Sequence, residues 1–336
     1  MLRELTQALL RKNDLTFEQA HAALNDVLAG QCGEIEIAAF LTALAAKGES
    51  AAEIAGLAQA MRDHAVPVRC AASPLIDIVG TGGDGQSTFN ISTTAAVVAA
   101  GAGVYIAKHG NRAITSKCGS ADLLAGLGVK IDAVPAVIAR CIEQAHIGFM
   151  FAPCHHPAMK YVQPIRKALG FRTVFNILGP LANPAGVPLI IIGVASPELL
   201  DVMAEALCQL GVTRAMVVHG DGTDEFTICG PTDIAEVHQS RITHHTVDYS
   251  DYGIAKAKLT DLTGRSLEEN IAIARGIIEG RITGPQREVV VLNAAAAIMV
   301  SGKAAGFAQG IHAARESIDS GSALAALEKL VEISNS

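Results

Sequence analysis

The period of the apolar residues changes once along this chain, and that change restricts the fold more than any single motif. From Leu2 to about His64 every apolar pattern is helical, with capping-box starts at Thr16-x-x-Gln19 and Ser50-x-x-Glu53 and helix stops at Gly30 and Gly48. This predicts a small unit of three or four helices. Pro67 and the stretch from Arg69 to Pro74 then read as a linker. Beyond it, short apolar strands are expected at 75–79, 104–107, 148–151, 189–194, 215–219 and 226–229, with helical runs such as 95–100, 135–144 and 197–210 between them. From Ser266 onward the pattern is mostly helical again. Strand-helix alternation predicts a mainly parallel sheet covered on both faces, with ligands at the carboxyl ends of its strands. The expected fold class is therefore α/β: a small all-helical domain at 1–68, a hinge or linker at 69–74, and a larger sheet domain flanked by helices at 75–336.

Composition narrows the function classes. A length of 336 residues favours two domains, and 50% apolar against 18% charged residues argues against disorder. The net charge of -7 disfavours nucleic acid or an anionic membrane as the main partner. Cys32, Cys70, Cys118, Cys141, Cys154, Cys208 and Cys229 are scattered, with no C-x-x-C pair, so free thiols in a reducing cytoplasm are expected. The start MLRELTQALLRKN lacks the apolar core and cleavage site of an export signal, and the apolar stretch 91–107 is broken by Ser92, Thr93, Thr94, Gly101 and Gly103. That stretch is expected to be helix, turn and strand.

Four segments carry chemistry. In Asp77 to Thr93 a strand passes through four glycines into a helix, with Ser87, Thr88, Asn90, Ser92 and Thr93 as further donors. Backbone N–H groups freed of Cβ atoms and a helix N-terminus suit a phosphate. Gly80-x-Gly82-x-x-Gly85 also matches the dinucleotide pattern, but the next strand ends in Lys108-His109 instead of an acid. In 108–128 the cations Lys108, Arg112 and Lys117 are interleaved with small polar residues, either as a second phosphate grip or as a solvated basic loop. Asp221, Asp224 and Glu225 follow another strand and offer hard oxygens to Mg2+, or form an acidic turn. Arg166, in the stretch that also holds His156 and Arg172, is the candidate fork for a carboxylate, with a surface role as the alternative.

Taken together, GTGGD, NIST, KHGNR, S-x-x-GSAD, HPAMK, R-x-x-LGFRTVFNILGPL-NP and HGDGTDE resemble the anthranilate phosphoribosyltransferase family, in order along nearly the whole chain. The resemblance implies the fold shared with pyrimidine nucleoside phosphorylases, a homodimer formed through the small domain, and the return of part of 157–184 to that domain. It implies a phosphoribosyl pyrophosphate site at Gly80, Gly83, Asp84, Thr88, Asn90, Ile91, Ser92, Thr93, Lys108, His109, Gly110, Asn111, Arg112, Ala113, Ile114, Thr115, Ser116 and Ser120. Mg2+ would be held by Ser92, Asp224 and Glu225, and anthranilate by Gly80, Asn111, His156 and Arg166. Lys108, His109 and Arg166 are the residues expected to serve catalysis.

The implied reaction moves the phosphoribosyl group to the amino group of anthranilate and releases pyrophosphate, a step of tryptophan biosynthesis. His109 and His156 are both placed to take the proton, and the sequence does not choose between them. Two other readings remain at this point: a pyrimidine nucleoside phosphorylase, disfavoured by the Asp224-Glu225 pair, and a non-catalytic nucleic-acid-binding relative, disfavoured by the acidic composition.

Overall fold

The computed structural model describes residues 1–113 and 117–336. Four helices, Leu2–Leu10, Phe17–Leu28, Glu34–Lys47 and Ala51–Asp63, form the N-terminal unit. Both expected capping boxes close: Gln19 N donates to Thr16 Oγ1 at 3.2 Å, and Ser50 N donates to Glu53 Oε2 at 2.8 Å. These caps satisfy amide groups that a helix start leaves open.

Seven strands make one sheet: β1 Leu75–Gly80, β2 Tyr105–Gly110, β3 Ile147–Phe151, β4 Leu189–Gly193, β5 Arg214–Gly220, β6 Thr232–His238 and β7 Arg241–Val247. Their order is β3-β2-β1-β4-β5-β6-β7. The first five run parallel, as the alternation predicts, and β6 and β7 are antiparallel additions at one edge. The strand expected at 226–229 does not form. Phe226 and Ile228 are buried in irregular chain, and Asn293 holds the Phe226 backbone from both sides, accepting from its N–H at 3.1 Å and donating to its carbonyl at 2.8 Å. β6 and β7 lie outside every expected strand. β7 is mostly exposed, so apolar content gives little sign of it, and the hairpin turn at Gln239 and Ser240 takes positive φ at both residues.

One sheet face carries Ile76, Ile78, Ile106, Ile191 and Met216 against helices Ile91–Gly101, Pro285–Val300, Phe307–Asp319 and Ser322–Ser334. Helix Pro285–Val300 is buried continuously over 289–300, so it is apolar all round. On the other face Ile190, Ile192 and Val217 meet Met203 and Leu207 of helix Leu199–Gln209, and this core runs on into the N-terminal helices. Val162, Ile165, Phe175 and Leu178, from the middle of the chain, pack into that same helical core. Each fully buried Leu, Ile, Val or Phe stabilises such a core by about 1.5–3 kcal/mol. Strand order reverses between β1 and β4, and ligands of open parallel sheets bind at such a switch point.

Candidate active site

The switch point is built around two glycines. β1 ends at Gly80 and β4 at Gly193, paired with one another. A Cβ on Gly193 would strike the Asp224 backbone, and one on Gly80 would strike its carboxylate. The segment after β5 therefore lies directly across both strand ends. There Gly82 N donates to Asp224 Oδ2 at 2.7 Å, and Ser92 N, in the first turn of helix Ile91–Gly101, donates to Glu225 Oε1 at 3.2 Å. Burial, then the nearby Asp84 charge, raises the Asp224 carboxyl to about 7. Glu225 is pushed well above its ordinary range by burial and then by Asp224.

Asp84 Oδ2 is buried without a hydrogen-bond partner. Three carboxylates thus crowd one place, but Asp221 is not among them: it takes φ 47°, is exposed, and packs against Gly230. Its expected place beside Asp224 and Glu225 is taken by Asp84. Among the described residues no three His, Cys, Asp or Glu side chains form a ready-made metal cage. An orphaned acid oxygen beside two mutually repelling carboxylates fits a divalent cation that completes its shell with water and phosphate oxygens.

The second loop differs from the basic cluster the sequence suggests. Lys108 is only 2% exposed, and its Nζ donates to Ile78 O at 2.5 Å. Burial pulls its pKa down, against the attraction of Asp77 and Glu225. Arg112 instead binds Asp122 at 2.8 Å, while Lys117 is exposed, so the three cations form no common surface. Asp122 also accepts from Ala113 N and Gly119 N, both at 3.0 Å, folding the described loop ends together. Asn111 O accepts from Ser120 Oγ at 3.3 Å. Asn90 Nδ2 donates to Cys118 O at 3.2 Å, tying the first loop to the second, and Thr88 bridges to Thr263. Ile91 and Thr93 are buried, with the Thr93 hydroxyl unpartnered. Ile114, Thr115 and Ser116 lie outside the described residues.

Between the strand tips and the middle segment lies a cavity of about 250 Å³, lined among others by Gly80, His109, Gly110, Asn111, His156 and Arg166. Gly83 lies beyond it, where Arg172 Nη1 donates to Gly83 O at 3.3 Å. Arg166 is half-buried and has no carboxylate partner among the described residues, and burial lowers its pKa. His109 Nδ1 hydrogen-bonds Gly179 O at 3.2 Å, which makes that nitrogen the donor. The Nε2 atoms of His109 and His156 are both buried and unpartnered. Burial and the mutual approach of the two rings, whose centroids are 5.1 Å apart, hold His109 at about 3; burial and His155 hold His156 at about 4. Both rings are neutral at pH 7. Phe175 and Asn176 are also cavity walls, although in the sequence they look like core and helix positions.

Residues 3–65 match the helical bundle domain, and residues 72–324 the a/b domain, of a glycosyl transferase family. Anthranilate phosphoribosyltransferase of Roseiflexus sp. (strain RS-1) is 49% identical over 99% of this chain and 98% of its own. That of Herpetosiphon aurantiacus is 46% identical over 99% of both chains. The crystal structure of the Thermus thermophilus enzyme superposes with a TM-score of 0.94 at 43% identity, covering 99% of each chain. The Saccharomyces cerevisiae enzyme in complex with PRPP and Mg gives 0.91 at 32%, covering 99% of this chain and 98% of that one. With both domains matched and this identity over its whole length, the chain belongs to the anthranilate phosphoribosyltransferase family.

Proposed function

We propose that the chain transfers the phosphoribosyl group of phosphoribosyl pyrophosphate to the amino group of anthranilate. One juxtaposition carries this reading: an apolar-walled cavity holding the carboxylate-free Arg166 opens beside the glycine loop and the Asp84, Asp224 and Glu225 cluster. Arg166 would fork the anthranilate carboxylate, with Asn111 and Gly80 as nearby walls. Gly80 to Thr93 and Lys108 to Ala113 would grip the donor phosphates. Asp224 and Glu225, with Ser92 and Asp84 beside them, would hold Mg2+, which when bound neutralises charge on the leaving pyrophosphate.

In the reaction a bond forms from the amine nitrogen to C1 of the ribose as the C1–oxygen bond to pyrophosphate breaks. The ring passes through an oxocarbenium-like state. The Nε2 atoms of neutral His109 and His156, buried and unpartnered on two cavity-lining rings, would orient the amine by accepting its hydrogen bonds. Their weak basicity suits that task better than keeping the proton, which leaves toward water or pyrophosphate. The alternatives of a pyrimidine nucleoside phosphorylase and a nucleic-acid-binding relative find no support in these relatives.

Segment 69–74 would act as the hinge between the helical unit and the sheet domain, flanked by the hydrogen bond from Val68 N to Pro184 O. We place the enzyme in the cytoplasm as a homodimer; no helix among the described residues is long and apolar enough to cross a membrane. Mixing the protein with anthranilate, phosphoribosyl pyrophosphate and Mg2+ should quench anthranilate fluorescence in step with pyrophosphate release. Fluorescence that stays constant would refute the assignment.

A further inference from the structure

The pairing of β1 with β2 stops before either strand ends. It covers Leu75 with Tyr105 and Ile76 with Ile106, whereas β1 continues to Gly80 and β2 to Gly110. Past Ile106 the two strands splay, and three polar side chains fill the gap. Asp77, 0% exposed, accepts the His109 N–H at 3.3 Å on each carboxylate oxygen. Asn183 Nδ2 donates to Asp77 Oδ2 and to Ala107 O, both at 2.8 Å, and Asn183 Oδ1 accepts from Ala185 N at 2.8 Å. With two acceptors facing its nitrogen and a donor facing its oxygen, the amide has one satisfactory orientation. Lys108 fills the rest, reaching across to Ile78 O.

A carboxylate in the middle of a doubly covered strand is costly unless it is paired and hydrogen-bonded. Apolar residues at 77 and 183 would serve a purely structural strand better, because they would close the splay. Neither Asp77 nor Asn183 lines the cavity. What they hold is the strand tip, where successive side chains point to opposite faces. His109 turns toward the cavity, while the Lys108 ammonium lies where the Asp77 and Glu225 charges both act on it.

We infer that Asp77 and Asn183 are a positioning pair that acts through Lys108 to set the grip on the phosphoribosyl donor. This deepens the reading of function given above and rests on it. Asp77 holds the β2 backbone at His109, next to Lys108, whose ammonium it also attracts, and Asn183 fixes Asp77 to β2 and to the turn beside the hinge.

The test compares wild type, Asp77→Asn, Asn183→Ala and Lys108→Met, plus Asp77→Asn combined with Lys108→Met. Each is given Mg2+ and saturation curves for both substrates, with thermal unfolding alongside. For the two positioning variants kcat/KM toward phosphoribosyl pyrophosphate should fall by about tenfold or more, while the KM for anthranilate moves by less than about twofold. Adding Asp77→Asn to Lys108→Met should cost little further, since the pair acts through that lysine. Equal weakening toward both substrates, fully additive losses, or unchanged kinetics would each overturn the proposal. If Asp77→Asn does not fold, Asn183→Ala alone and combined with Lys108→Met decides by the same criteria. Should wild type itself fail to consume anthranilate, the reading of function falls instead, and calorimetric binding of phosphoribosyl pyrophosphate to the same proteins still tests the pair.

Discussion

Arg166 lies over Phe175, its guanidinium carbon 5.3 Å from the ring centroid. Phe175 is itself anchored in the core shared with the helical unit, so the stack holds the fork at the cavity wall without neutralising it. Arg166→Lys keeps charge but loses the planar fork, and Arg166→Ala loses both. The KM for anthranilate should rise about ten- to hundredfold, on the scale of 1.5–3 kcal/mol for a charge-assisted pair, with that for phosphoribosyl pyrophosphate nearly unchanged. Phe175→Leu should act in the same direction by roughly two- to fivefold, the size of a partly exposed cation–π contact. Saturation curves for each substrate check this; equal weakening toward both would refute Arg166 as the carboxylate ligand.

The crowding of Asp84, Asp224 and Glu225 predicts a metal effect visible without substrate. Mg2+ should raise the unfolding temperature of wild type, because a cation relieves repulsion that burial intensifies. In Asp224→Ala/Glu225→Ala that rise should vanish, and turnover should drop by at least about a hundredfold. A double variant that keeps its Mg2+-induced shift would place the metal elsewhere.

Much of this site is legible in the sequence because glycine and charge patterns are local. The loop at Gly80 to Gly85 and the acids at 224 and 225 announce themselves by composition, and five of the six expected strands form close to their expected positions. What is not legible depends on which side chains meet across the fold. Asp221 and Asp224 look equivalent in HGDGTDE, yet Asp221, at positive φ, is exposed and packs against Gly230, while Asp84, 140 positions before Asp224, stands beside Asp224. The basic run after β2 likewise reads as one patch, until Lys108 is seen buried and Arg112 engaged by Asp122, which the sequence shows only as part of a following helix. Asp77 and Asn183 fall inside quoted segments, but nothing local shows that they meet, since an isolated polar residue beside an apolar run acquires its meaning from its partners.

The helical unit should also pair with a second copy. The two most exposed large apolar side chains among those described, Ile35 at 86% and Leu10 at 68%, both belong to it. Light scattering should give twice the 34.8 kDa chain mass at micromolar concentration. Ile35→Glu combined with Leu10→Glu should shift it toward the monomer, and a wild-type monomer would contradict the expectation.

The last prediction follows from the two histidines. Their folded values, about 3 for His109 and about 4 for His156, lie below the ordinary 6.5. A histidine with a depressed folded pKa contributes stability that is fully present above its unfolded pKa. That contribution is lost as pH falls from about 6.5 toward the folded value, because the unfolded chain then binds a proton the folded one refuses. Each ring should thus add a destabilising slope of up to about 1.4 kcal/mol per pH unit between roughly pH 6 and pH 4. Denaturant titrations of wild type and His109→Asn across that window should show a shallower slope in the variant. Imidazole NMR gives the direct check: His109 and His156 should stay neutral down to pH 5, with His109 in the Nδ1–H tautomer that its bond to Gly179 O requires. Should both rings titrate near 6.5, the neutral pair would be lost, and with it the reason for treating them as hydrogen-bond acceptors for the amine.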